Sequence, residues 1–362
     1  MGDIIGMGLS HYPGPAVPVE AWPDMLTQWV KMGRIDPADF AAQDKWPAAM
    51  RAEWGGDAGQ SSARLHRDRL FAGYARLRKA LDDFQPDVVV MFGDDQYENF
   101  KQDCIPAFAV GIFDSVACKP FGTGRVPFGT NANIWNVPAD TELTVKCSHE
   151  AAAGLCRDLL AQDFDVAYSR AIRHPKGLSH SFALAVLYLD LERKGFPYPI
   201  VPLSVNCYGN QLIKTAAGAH GEGADEISPP APTPKRCFAF GRAVARYYAA
   251  SPWRVAIIGS SSWSHASLTA KHGRLYPDIP ADRILHEDLK NNRFDRWGGL
   301  DLAALEDAGQ HEVLNWVCLA GAMTELGQKP QFVDYVETYV FNSNKCFAVF
   351  PPADGRGSVP AV

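Results

Sequence analysis

Residues 86–100 read PDVVVMFGDDQYENF. Val88, Val89, Val90, Met91 and Phe92 form a continuous apolar run, the pattern of a strand buried on both faces in an α/β sheet. The run ends in the polar tip Asp94–Asp95–Gln96. Sheets of this kind carry their chemistry just beyond the carboxyl ends of the strands, so the tip is expected at the rim of an active site.

Outward from this strand, helical and strand periodicity alternate. Upstream, SARLHRDRLFAGYARLRKALDDF (62–84) places Leu65, Leu70, Tyr74, Leu77 and Leu81 at three- and four-residue steps, which predicts a helix. Ile4 and Ile5 open a first strand that runs into Ser10–His11. Downstream, strands are expected at 107–113, 164–168 and 198–206, and helices at 148–162, 178–194 and 237–250. A strand at 253–258 ends in GSSSWSH, residues 299–325 are helical, and VETYVFNSNKCFAVFPP closes as a hairpin. The alternation predicts an α/β fold, a three-layer sandwich around a mostly parallel sheet, as one domain over 1–362. Residues 12–60 break the pattern. They are rich in Pro, Gly and Trp (Trp22, Trp29, Trp46, Trp54) and read as an insertion after the first strand. Such an insertion is either a surface excursion with its own small core or a lid. The Gly- and Pro-rich segment 209–235 has no periodicity and is expected to be mobile.

The net charge of −6, with positive residues scattered, argues against a nucleic-acid surface. No stretch of eighteen apolar residues predicts a membrane span. MGDIIGMGLSHYPG lacks the basic start and long apolar core of a signal peptide. The 8 cysteines form no CxxC pair and read as reduced thiols in a cytoplasm.

Five polar clusters follow strands or open helices: Ser10–His11, Asp94–Asp95–Gln96, the segment from His174 to His180, Ser264–His265, and His311–Glu312. Parallel topology gathers strand ends on one side of the sheet, so the clusters can converge. Converging His and carboxylate suit iron, manganese or zinc, and two His with one carboxylate leave positions open for substrate and O2. Each residue also has an ordinary reading. His11 can be a loop residue, His180 a helix cap, and Glu312 a solvated side chain. Yet Val313, Leu314 and Trp316 mark a buried helix, where an unpaired carboxylate is costly. His149, His220, His272 and His286 read as surface residues. These features leave a metal site and a metal-free pocket both open. There is no HExxH, G-x-S-x-G or P-loop, and GTGRVPFG lacks the dinucleotide-binding spacing.

Taken together, GMGLSHYPG, PDVVVMFGDDQYENFKQDCIPAFAVG, YPIVPLSVNCYG, RCFAFGRAVARYY, RVAIIGSSSWSH and DAGQHEVLNWVCLAGAM resemble the class III extradiol ring-cleavage dioxygenases. The likeness leans toward the β subunits that cleave protocatechuate at the 4,5 bond. The resemblance implies Fe(II) held by two His and one Glu. The first His falls on His11. The Glu, four residues before Trp316 and nine before Gly321, falls on Glu312. The second His falls on Gln96, a departure, because a neutral amide is a weaker ligand than imidazole. Three alternatives stand: Gln96 ligates weakly or holds a water, His66 substitutes from the first turn of the preceding helix, or the site has lost iron for another divalent metal or none. The acid/base His of the family precedes a Gly that falls on Gly177, but here Lys176 precedes it. His180 is the favoured replacement and His174 the other. Ser264–His265 matches a second-layer or substrate contact.

The implied reaction is Fe(II)-dependent extradiol cleavage of a catechol-like substrate by O2. The implied partners are a small aromatic substrate, O2 and further copies of the chain. Lys176 or Arg173 would hold a substrate carboxylate if they are not simply solvated. Rival readings keep the pocket for metal-assisted hydrolysis or a lyase reaction using His11, Glu312 and His180, or make the chain a non-catalytic partner subunit.

Overall fold

The computed structural model describes residues 2–101, 103–122, 125–174, 177–209 and 229–352. Its ten described strands are β1 (Ile4–Leu9), β2 (Val88–Asp94), β3 (Phe108–Gly111), β4 (Ser115–Cys118), β5 (Leu143–Lys146), β6 (Ala167–Ser169), β7 (Ile200–Val205), β8 (Val255–Ser260), β9 (Phe332–Val336) and β10 (Lys345–Phe350). Eight form one mostly parallel sheet in the order β6-β3-β7-β2-β8-β1-β10-β9, and β4 and β5 pair separately. The central four, β7, β2, β8 and β1, run parallel. β10 turns back antiparallel to β1, with β9 antiparallel to it, as the hairpin-like ending predicts. The fold is α/β.

Every residue of β1, β2 and β8 is buried, which is why these segments read as unbroken apolar runs. Successive side chains point to opposite faces. Ile5, Met7, Val89 and Met91 feed one core, and Ile4, Val88, Val90 and Phe92 the other.

Residues 12–60 fold into the helices Asp24–Lys31, Pro37–Ala41 and Ala48–Trp54, with short turns between them. Trp22, Trp29 and Trp46 are buried in the first of the two cores, continuous with Met7 and Met91. The segment therefore has no separate small core; its aromatics extend the main one.

Four helices depart from expectation, among them 237–250, which runs Pro234–Ala249. The helix of 62–84 begins at Gln60. The helix expected over 178–194 is shorter, His180–Tyr188. The helical stretch 299–325 divides into Leu302–Asp307 and Val313–Leu326. The break passes through Gly309 at φ +66, where a Cβ would stand 2.6 Å from Thr269 Oγ1 and 2.7 Å from the His265 carbonyl. Most of the segment expected to be mobile, 210–228, lies outside the described residues. Its end is ordered, with Thr233 capping the helix Pro234–Ala249 through the Arg236 N–H.

That helix packs closely on Val313–Leu326. A Cβ at Gly241 would run into the Cys318 carbonyl, and one at Gly321 into the Phe238 carbonyl. Backbone cannot yield as a side chain can. Gly241→Ala is expected to cost about 2–3 kcal/mol of stability, the upper end for overpacking. Urea denaturation checks this; an unchanged midpoint would show that the helices separate without cost.

Among the described residues no helix is long and apolar enough to cross a membrane. No disulfide is found among them either: Cys104 is exposed and the other seven thiols are buried.

Candidate active site

β1, β8 and β2 lie side by side, so their carboxyl ends deliver adjacent loops. His11 sits two residues past β1, Asp94 closes β2 with Gln96 two residues on, and Ser260 closes β8 with His265 beyond it. Glu312 is the cap residue of Val313–Leu326, and His180 opens the helix His180–Tyr188. His11, Gln96, His180, His265 and Glu312 line one cavity of about 520 Å³.

Two imidazoles are oriented by main-chain oxygens. His11 Nδ1 lies 3.1 Å from the Ser260 carbonyl, and His265 Nδ1 lies 2.7 Å from the Trp263 carbonyl. A carbonyl only accepts, so each Nδ1 carries the proton and each Nε2 keeps its lone pair. Those lone pairs face carboxylate oxygens. His11 Nε2 is 3.5 Å from Asp94 Oδ1 and 3.4 Å from Glu312 Oε2, and His265 Nε2 is 3.6 Å from Glu312 Oε2. Glu312 Oε2 is buried and receives no hydrogen bond. Its other oxygen, Oε1, accepts from Gln96 Nε2 at 2.9 Å and from the Tyr208 hydroxyl at 2.5 Å.

Gln96 is therefore inside the site, but its amide nitrogen faces the carboxylates. The same Nε2 lies 3.2 Å from Asp94 Oδ2. It bridges two buried acids that would otherwise repel each other. Asp94 also accepts from Asn315 Nδ2 at 3.3 Å.

Burial sets most of the charge states. Desolvation, then the Asp94 charge, pushes the Glu312 carboxyl well above the usual carboxylate range, and burial also raises Asp94. Burial, then His180 and His265, lowers His11, and burial lowers His265 to about 3. Both are neutral. His180 behaves oppositely. Burial alone would lower it, but Glu98, whose Oε2 lies 2.7 Å from His180 Nδ1, lifts it to about 10. His180 is an imidazolium, packed edge-on against His11 with ring centroids 4.9 Å apart.

The polar tip after β2 is what holds His180. Asp95 does not face the cavity; its carboxylate accepts the N–H groups of Glu98, Asn99 and Phe100 and folds the loop. Asn99 then binds the Gly177 carbonyl and the Ser179 N–H, while Glu98 takes both the N–H and the ring of His180.

Two expected residues lie elsewhere. His66 is two turns into its helix because that helix starts at Gln60, and its face turns into the aromatic core. Its ring packs against Phe341 at 5.4 Å and Trp22 at 6.1 Å, away from the cavity. His66 thus lies away from the residues that line the cavity. His174 lines a different cavity, with its Nε2 3.8 Å from Asp103. Arg173 is exposed, and Lys176 lies outside the described residues. His149 is exposed as expected, whereas His272 and His286 are half-buried on Tyr276 and Tyr335; His220 lies outside the described residues. Sequence reading gave no role to Tyr208 or Glu98. Tyr208 follows the strand YPIVPLSVN closely enough to have been suspected as a strand-end residue, but nothing in spacing signals Glu98.

Imidazole and carboxylate donors fit a divalent cation such as Fe(II), Mn(II) or Zn(II). The orphaned Glu312 oxygen facing unprotonated imidazole nitrogens supports that fit, since a cation between them would satisfy both. Among the described residues, His11, Asp94 and His180 offer ligand atoms that all lie within 4.8 Å of one another. The Glu98 contact takes His180 Nδ1 and leaves its Nε2 free, the carboxylate–imidazole arrangement of many metal ligands, while the free oxygen of Glu312 meets His11.

Fold and site together give an α/β protein with a buried His–carboxylate cluster of the kind that could hold a metal ion. Comparison narrows the class. The chain is 26% identical over 306 residues to the 2,3-dihydroxyphenylpropionate/2,3-dihydroxicinnamic acid 1,2-dioxygenase of Paraburkholderia xenovorans (strain LB400), covering 72% of this chain and 83% of that protein. It is 27% identical over 301 residues to the protein of the same name from Rhodococcus globerulus, covering 71% and 82%. An uncharacterized protein from Escherichia coli K12 superposes with a TM-score of 0.41 at 12% identity, covering 75% of this chain and 91% of that one. No family model matches the chain.

Proposed function

We propose that this chain is an extradiol ring-cleavage dioxygenase that opens a catechol-like aromatic ring with O2 at an Fe(II) centre. The observation that carries the reading is the convergence of His11 Nε2, His265 Nε2 and Asp94 Oδ1 around or beside the unpartnered Glu312 Oε2 on one cavity wall. The relatives, whose names describe dioxygenases of dihydroxylated aromatic acids, support the same chemistry.

His11, Glu312 and Asp94 would hold the ion, Asp94 supplying the ligand that position 96 does not. Bound there, Fe(II) supplies Lewis acidity toward the diol and the electron transfer that activates O2. The remaining steps belong to the chain. Neutral His265, its Nδ1 fixed on Trp263, offers Nε2 to a substrate hydroxyl. Charged His180, held by Glu98, donates a proton to oxygen as the ring opens. Gln96 and Tyr208 fix Glu312 Oε1 and leave Oε2 directed at His11. Relative to the protocatechuate-cleaving subunits, this is a centre with Gln in a His position and a carboxylate beside it.

We further read the fold as a three-layer sandwich in which residues 12–60 form a lid, supported by Tyr12, Trp29 and Arg34 on the cavity wall.

Oxygen uptake and iron content test the reading. Protein purified without air should carry iron and consume O2 with protocatechuate or 2,3-dihydroxyphenylpropionate; no iron above background and no uptake with any diol defeats it. Chelation should also lower the melting temperature, and Fe(II) should restore it, because a ligand bound only by the folded state stabilises it. A melting curve indifferent to chelator and metal would count against a bound cation.

A further inference from the structure

The cavity has a second charged wall that the metal chemistry does not use. Arg34, from the segment 12–60, and Arg274, from the loop after β8, both line it together with His11, His265 and Glu312. Neither guanidinium forms an ion pair among the described residues. The two are close enough for each charge to be felt: burial first, and then Arg274, lower Arg34. Glu312 lines the same cavity, and Glu306 and Asp307 line a neighbouring one with Arg274.

Two like charges with no ion-pair partner among the described residues, on a half-buried surface, are unfavourable. The backbone reinforces the placement. Gly33 and Gly273 adopt left-handed conformations, and Arg274 itself does so at φ +60, a region costly for a residue with a Cβ. Arg34 is fixed in turn by its N–H on the Trp29 carbonyl, and Arg274 by its N–H on the Thr269 carbonyl.

We propose that Arg34 and Arg274 form an anion subsite for the carboxylate of an aromatic acid whose ring reaches the His11–Glu312 floor. The inference rests on the ring-cleavage reading for the diol end, and adds the class of substrate: a dihydroxylated aryl acid rather than a neutral catechol. Planar guanidinium matches planar carboxylate, and an Arg–carboxylate pair in a partly desolvated site is directional as well as attractive. The segment 12–60 thereby acquires a role in specificity, since Arg34 comes from it. Arg173, the residue sequence reading offered for this purpose, is exposed and not on the cavity.

The subsite is testable without turnover. 3-Phenylpropionate carries the carboxylate but no diol, and 3-phenylpropanamide is its neutral counterpart; binding of both to the intact protein is measured by calorimetry. The acid should bind at least about 10-fold more tightly than the amide, and R34Q and R274Q should each remove about 10-fold of the acid's affinity, the scale of one charged hydrogen bond. Amide binding and iron content should be unaltered, and the melting temperature should not fall. Equal affinity for acid and amide, no measurable binding of the acid to the parent protein, or undiminished affinity in R34Q/R274Q overturns the proposal. Oxygen uptake with the matching diols separates the two claims. Arginine-dependent acid binding without ring cleavage leaves the subsite standing and removes the dioxygenase, whereas cleavage without acid preference does the reverse.

Discussion

Glu312→Gln is expected to lose bound iron and activity together, and to make the metal-free protein more stable. The two effects share one cause. Glu312 is buried beside Asp94, and its free oxygen faces lone pairs on His11 and His265. With a cation present, that arrangement is attractive. Without one, it is a buried charge against acceptors. The variant should weaken metal binding by about 100-fold or more, since even residues that only support ligands cost 10–100-fold. The stability effect has a definite pH sign. Glu312 has a folded pKa raised above its unfolded value, through burial and then Asp94. The folded protein therefore binds the proton more tightly, and the metal-free wild type loses stability as pH rises above the ordinary carboxylate range. Gln does not titrate. The stability advantage of metal-free E312Q should accordingly be larger at pH 8 than at pH 5 in urea melts. A variant that keeps its iron, or an advantage that shrinks with rising pH, would remove Glu312 from the centre.

The second large effect concerns His180. His180→Ala should lower kcat by about 10²–10⁴, the usual range for a lost proton-transfer group, while iron content stays near that of the wild type. Its partner gives the sharper test. Burial pulls His180 down and Glu98 pulls it up, to about 10. Without a metal the protein thus holds a charged imidazole through the neutral range; a bound divalent cation would lower His180, and activity that needs this proton should decline on the alkaline side. Glu98→Gln removes the largest upward influence while keeping an acceptor for the His180 N–H. Its alkaline limb in kcat/KM should move toward neutral pH. An unmoved limb would mean that His180 is not the donor, and iron lost in His180→Ala would make it a ligand.

How much of this was legible in the sequence depends on what each residue needs to be recognised. The β2 run announced itself, because a strand buried on both faces has no polar positions to confuse the pattern. His11, Gln96, His265 and Glu312 follow directly from strand ends or a helix start, and the structure brings all four to one cavity. His66 shows the limit. Its helix was recognised, but which way one face turns depends on where the helix starts and on the Trp22 and Phe341 rings that receive it. Those rings come from segments far away in sequence. Glu98 was hidden for a similar reason. In YENF it looks like a solvated loop acid, and only the fold of that loop around Asp95 points it at His180. Arg34 lay in a segment with no strand-end logic at all.

The order of strands has a consequence for when the centre can exist. β1 emerges first, yet its parallel neighbour β8 lies some 250 residues later in the chain, and Glu312 later still. A growing chain carries His11 through most of its synthesis with neither Ser260 to orient the ring nor the carboxylate that faces it. The donors become neighbours only after the last parallel strand has been inserted between two that were made long before. On the proposed reading the site would take up metal only in the finished molecule, and a ribosome-bound chain ending before β8 should retain no more iron than an unfolded one.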